Sequence, residues 1–135
     1  MDRARILQEV AACLAGRPDI VAAYLFGSLA RGEASSGSDV DIAVILAGGA
    51  PRDVAGVERI EELREQIETR LRRDVDLVVM NGAAPDLLHR ILRDGELVCE
   101  SDHRRRLEFE VQARNEYFDL LPILQLYRRT VLGSA

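Results

Sequence analysis

Hydrophobic and polar residues change their spacing several times along this chain, and each change marks an element. Ile6, Val10, Cys13 and Leu14 recur every three to four residues, which predicts a helix over 2–15 that Gly16 and Pro18 end. Residues 20–26 (IVAAYLF) are continuously apolar and read as a buried strand. A stretch rich in Gly and Ser follows from Gly27 to Ser38. Residues 39–46 (DVDIAVIL) predict a second strand, closed by the turn AGGAP. Val57, Ile60, Leu63, Ile67 and Leu71 then fall on one face of a helix predicted over 52–72. A third strand is expected at 74–80 (DVDLVVM), a helix at about 85–93 that Asp94-Gly95 stops, and a short edge strand at 96–100. From Ser101 a long helix is predicted, with Leu107, Val111, Phe118, Leu121, Leu124 and Tyr127 in a broad apolar stripe. Pro122 should break or kink it. Strands alternating with helices give an α/β (α+β) class: a small mixed sheet with helices packed on at least one face.

The chain has 135 residues, so one domain is expected over 1–135, with a C-terminal helical segment from about 101. Hydrophobic residues make up 47%, enough for a core, and with no Trp the packing falls to aliphatic side chains. A net charge of -5 argues against a surface built for nucleic-acid backbone, so direct nucleic-acid binding is not expected. Arg72-Arg73 and His103-Arg104-Arg105-Arg106 read as solvated helix positions. Cys13 and Cys99 sit among apolar neighbours and read as reduced, buried thiols. There is no apolar run of membrane-spanning length and no signal-peptide core, so no membrane partner and a cytoplasmic location are expected.

One constellation carries chemistry. Gly27-Ser28 closes the first strand, and ten residues later Asp39-x-Asp41 opens the second. Side chains at i and i+2 of a strand point the same way, roughly 6.5–7 Å apart. Two carboxylates that close repel unless a cation lies between them. Mg²⁺ suits the place, because it takes a few carboxylate oxygens together with phosphates and water. In two-metal sites one ion activates the attacking oxygen and the other holds the leaving phosphate, and a third carboxylate normally completes the set. Asp76 is the candidate, one residue inside an apolar run, ahead of Asp74, which follows two arginines and can be a solvated turn residue. Asp76 would bind the catalytic metal and help deprotonate an incoming hydroxyl. Gly27 lets backbone N–H groups approach a phosphate, Ser28 can donate its hydroxyl to one, and Arg31 adds positive charge. Ser28 as a helix cap and Arg31 as a solvated side chain remain the plainer alternatives.

The Gly-Ser and Asp-x-Asp pairs, separated by ten residues, resemble the polymerase-beta-like nucleotidyltransferase superfamily. The likeness is to its minimal nucleotidyltransferases (MNT), the antitoxin partners of HEPN toxins, and its core covers about residues 20–80. Gly95 before a short apolar strand and Tyr117-Phe118-Asp119 in the last helix are similar with less specificity. The resemblance implies two Mg²⁺ ions, ATP as substrate, and transfer of AMP to a tyrosine hydroxyl of a cognate HEPN ribonuclease, which neutralises it in a hetero-oligomer. By that resemblance Asp39, Asp41 and Asp76 are catalytic metal ligands, and Gly27 and Ser28 contact the triphosphate. The toxin's own pattern, Arg followed four to six residues later by His, occurs before neither His89 nor His103. His89 reads as a surface or packing residue. Two alternatives stay open: an antitoxin that acts by occlusion through its C-terminal helices, and a nucleotidyltransferase acting on a small-molecule hydroxyl. The length left after the third strand offers little room for an acceptor domain, which weighs against the latter.

Overall fold

The computed structural model describes residues 2–32 and 39–131; residues 33–38, most of the Gly/Ser-rich loop, lie outside the described residues. Four strands form one sheet: β1 (Ile20–Phe26), β2 (Val40–Leu46), β3 (Val75–Val79) and β4 (Glu96–Glu100). They lie in the order β3-β2-β1-β4. β1 runs antiparallel to β2 and β4, whereas β2 and β3 are parallel. The parallel pair needs a crossover, which the long helix between them supplies. The helices are α1 (Arg3–Leu14), α2 (Gly27–Ala30), α3 (Val54–Leu71), α4 (Pro85–Asp94) and α5 (His103–Val131). The result is a mixed sheet flanked by helices, the architecture that the resemblance implies.

Helices cover both faces of the sheet, more than the expected minimum of one. Ile6 and Val10 of α1 and Leu63 and Ile67 of α3 pack against Ala23, Leu25, Val40, Ile42 and Val44. On the other face Leu88 and Ile91 of α4 and Ala113 of α5 meet Val21, Ala22, Tyr24, Ala43 and Ile45. A register shift between Ile20 and Ala22 puts the consecutive Val21 and Ala22 on the same side. That bulge, with burial on both faces, explains why β1 reads as an unbroken apolar run.

Four details depart from expectation. Val57 is 58% exposed. Gly56, not Val57, heads the buried line of α3, because a Cβ there would stand 3.2 Å from Cβ of Pro51. Cys13 and Cys99 are half-buried rather than buried. The basic run of α5 is not simply solvated: Arg105 donates to the Ala47 carbonyl at 2.8 Å, and Arg106 pairs with Glu100 and Glu110. Finally, α5 continues unbroken through Pro122. Proline there removes one donor, the partner of the Phe118 carbonyl, and both residues face water, which can take its place.

α5 is fixed to the sheet by a buried polar knot. The Tyr24 hydroxyl donates to Oε1 of Glu110 at 2.7 Å, and Nη1 of Arg106 donates to the same oxygen at 3.0 Å. Burial, then the Glu110 carboxylate, push the Tyr24 hydroxyl well above the ordinary phenol range. Glu110 is 8% exposed, which its two donors make tolerable. Among the described residues, no helix is long and apolar enough to cross a membrane.

Candidate active site

The site is assembled at the end of the sheet where β1 finishes and β2 and β3 begin. Phe26, the last residue of β1, pairs with Asp41 of β2. The next residue, Gly27, has φ of +73° and turns the chain into α2. A Cβ on Gly27 would stand 2.2 Å from Oδ2 of Asp41 and 3.0 Å from its Cγ. Glycine is therefore required here twice, for its left-handed backbone and to leave room for the Asp41 carboxylate. The second reason is not visible in sequence, where the glycine reads only as a phosphate approach. Ser28 is half-buried and does not cap the helix; Phe26 holds the N-cap position, with no side-chain cap bond. Arg31 closes α2, its N–H donating to the Gly27 carbonyl at 3.2 Å.

The carboxylates lie on or beside the adjacent strands β2 and β3. Asp39 is exposed just ahead of β2, Asp41 is half-buried within it, and Asp76 is exposed on β3. Asp41 and Asp76 are direct partners across the parallel pair. By strand alternation Asp39 and Asp41 share the face of Ala43 and Ile45, and Asp76 that of Val78. This is the face that α4 and α5 cover further along, and the carboxylates occupy its open end. Burial, then the charges of Asp76 and Asp39, hold the Asp41 carboxyl above the usual aspartate range, while Arg31 pulls it down. Asp74 is exposed, and its backbone carbonyl receives the Val40 N–H at 2.9 Å. Of the two β3 aspartates, Asp76 is thus the one set against Asp41.

These donors fit a divalent cation in kind. They are hard carboxylate oxygens that repel one another, and the most enclosed of them is held toward its protonated form by its neighbours. Among the described residues, no three His, Cys, Asp or Glu side chains stand ready-converged on one point. Asp39, Asp41 and Asp76 could hold a metal after rotation of their side chains, which the exposure of Asp39 and Asp76 leaves free.

Two neighbours of the site were not legible as such. The Asp94 carboxyl sits below its usual range through Arg93 first, with Arg31 and His89 adding smaller contributions. Arg31 therefore feels carboxylates on two sides, Asp41 and Asp94. In sequence Asp94-Gly95 reads only as a helix stop. Gly95 is also a packing glycine, since a Cβ would meet the Ile91 carbonyl oxygen at 2.3 Å. His89 is a packing histidine, stacked on Tyr117 with ring centroids 3.8 Å apart. A cavity of about 470 Å³, lined by residues such as Arg17, Leu46, Gly49 and Arg59, lies toward the opposite end of β1 and β2 and contains none of the motif residues.

The sequence profile of the family described as Polymerase beta, Nucleotidyltransferase matches residues 8–104. No curated protein is significantly similar in sequence. Among solved structures, a chain of a toxin–antitoxin complex with AMP-PNP is 26% identical, with a TM-score of 0.77 over 94% of this chain and 98% of its own. A chain of the MntA–HepT toxin–antitoxin complex is 24% identical, with a TM-score of 0.72 over 96% of this chain and 99% of its own. A chain of the complex between a tri-AMPylated Shewanella oneidensis HEPN toxin and its MNT antitoxin is 23% identical, with a TM-score of 0.73 over 97% and 99%. Because the matched segment takes in every strand and both aspartate pairs, this chain belongs to the polymerase beta nucleotidyltransferase family.

Proposed function

We propose that this chain is an antitoxin that transfers AMP from ATP to a tyrosine hydroxyl of a cognate HEPN ribonuclease toxin and so neutralises it. The observation that carries the reading is the register pairing of Asp41 with Asp76 beside Gly27-Ser28. Support comes from the toxin–antitoxin neighbours, one with AMP-PNP and one with an AMPylated HEPN toxin. The catalytic unit is a single minimal nucleotidyltransferase domain followed by a C-terminal helix.

Each residue has a role in this reading. Gly27 and Ser28 bind the triphosphate, through backbone N–H groups and the Ser28 hydroxyl. Arg31 adds a positive charge that Asp41 and Asp94 also feel. Asp39, Asp41 and Asp76 would hold Mg²⁺. When bound, Mg²⁺ offsets phosphate charge and makes the acceptor hydroxyl easier to deprotonate. Asp76 takes the proton of the acceptor O–H. The oxygen then attacks the α-phosphorus, an O–P bond forms, the bond to the bridging oxygen breaks, and pyrophosphate leaves. Asp76, which takes the proton, is exposed, as an acceptor hydroxyl on another chain requires.

The test uses α-³²P-ATP, Mg²⁺ and a cognate HEPN toxin. Label should move to the HEPN protein with wild type and not with Asp39→Ala/Asp41→Ala. Complex formation with no transfer by wild type would replace catalysis with occlusion. Transfer to a small molecule in the absence of any partner would replace the protein acceptor.

A further inference from the structure

We infer that the distal half of α5 is the docking surface for the acceptor protein, and that the partner presents an apolar groove rimmed by carboxylates. The inference rests on the proposed function, since it assigns a place on this chain to the protein that is modified. α5 has 29 residues and is about 43 Å long. Its first half is held by the Tyr24–Glu110 contact and by Ala113 and Tyr117, which face the sheet and α4. From Phe118 to Val131 no residue is buried. Yet Phe118, Ile123, Leu126, Tyr127 and Val131 are each between 55% and 63% exposed. Five large apolar side chains on one unpacked helix segment are more than scattered surface residues, and they mark an interaction site.

Charge narrows the partner. From Leu120 to Val131 the segment LLPILQLYRRTV has no acidic residue and carries Arg128 and Arg129, on a chain whose net charge is -5. A carboxylate rim on the partner complements that basic end. The family comparison points the same way. The nucleotidyltransferase match ends at residue 104, where α5 begins. The toxin–antitoxin chain with AMP-PNP matches 94% of this chain, which leaves about 8 residues unmatched and so includes most of α5. The helix is thus an addition to the catalytic core, and it is shared with a chain solved in a two-protein complex.

The experiment compares wild type with Ile123→Asp/Leu126→Asp, and with Val54→Asp/Val57→Asp as the control on the exposed start of α3. Affinity for a cognate HEPN toxin is measured by calorimetry, AMP transfer with labelled ATP, ATP affinity alone, and self-association by sedimentation. The α5 variant should bind the HEPN protein at least about 30-fold more weakly, as loss of central apolar anchors does. Its ATP affinity and helix content should be unchanged, and the α3 control should behave as wild type. Wild-type-like binding by the α5 variant overturns the inference. So does a wild-type dimer that only this variant dissolves while HEPN binding persists. If wild type binds the HEPN protein through α5 but transfers no AMP, the docking surface stands and the catalytic reading fails. If transfer proceeds at the wild-type rate in the α5 variant, the catalytic reading stands and the docking surface fails.

Discussion

Replacing Gly27 with alanine probes two separate forces at one position. The first is conformational: an L-residue at φ +73° costs about 1–2 kcal/mol. The second is steric, because the new methyl carbon would stand 2.2 Å from Oδ2 of Asp41. The carboxylate oxygen can rotate away, but Cγ at 3.0 Å and Cβ at 3.3 Å cannot both clear by rotation. Overpacking of this kind adds about 1–3 kcal/mol. Gly16 separates the two forces. Its φ is +74°, and a Cβ there meets nothing within 4 Å. In urea denaturation Gly16→Ala should therefore lose only the first amount, and Gly27→Ala both, about 2–5 kcal/mol in all. In an Asp41→Ala background most of the excess should vanish, a coupling that a double-mutant cycle reads directly. Because the displaced carboxylate is a proposed metal ligand, AMP transfer by Gly27→Ala should fall by at least about 100-fold at saturating ATP, the scale of a misplaced catalytic group. Equal stability losses at Gly16 and Gly27, together with near-normal transfer by Gly27→Ala, would refute the reasoning.

Other consequences can be measured on the same protein. The folded Asp41 carboxyl titrates above its unfolded value, so its ionisation opposes folding at pH values above that raised range. Asp41→Asn should accordingly raise the metal-free Tm at pH 7–8, by an amount that shrinks as pH falls through the raised range toward the ordinary aspartate value. A constant or growing difference on acidification would contradict this. With Mg²⁺ and ATP added, wild type should gain more thermal stability than Asp41→Asn. Arg31→Gln should weaken ATP affinity and move the Asp41 titration, followed by NMR, further upward, since Arg31 lowers it. An unmoved titration would remove Arg31 from the site. Tyr24→Phe should lose about 1.5–3 kcal/mol, the worth of a hydrogen bond to a charged group, in chemical denaturation. A loss under 0.5 kcal/mol, roughly the scale of a neutral surface change, would mean that Arg106 alone satisfies Glu110.

The elements themselves were legible because their periods are clean. The β1 boundaries fall at 20 and 26 as read, and β4 at 96 and 100. The spacing of Gly27-Ser28 to Asp39-x-Asp41 pointed to two strand ends, and the structure brings those ends together. What could not be read depended on the third dimension. The closeness of Gly27 to Asp41 follows from antiparallel register, which a single strand does not encode. Asp94 enters the field of Arg31 through the packing of α4, and in sequence it is only a helix end. The basic run of α5 misled because Arg105 and Arg106 find partners 58 and 6 residues away. Pro122 does not break α5, because its missing donor matters little where water can replace it.

The knot of Tyr24, Glu110 and Arg106 joins the strand that ends in Gly27-Ser28 to the helix that carries the exposed apolar segment. Strand and helix are thus joined as one lever with a locked elbow, and under the proposed docking and transfer a protein gripped at the far end would be offered to the carboxylates at a set reach. Selection among its hydroxyls then becomes a matter of distance rather than of local sequence. Four residues inserted between Phe118 and Pro122 would move the grip by about 6 Å and turn it by about 40°. The same enzyme would then mark a different hydroxyl of the same partner, or none.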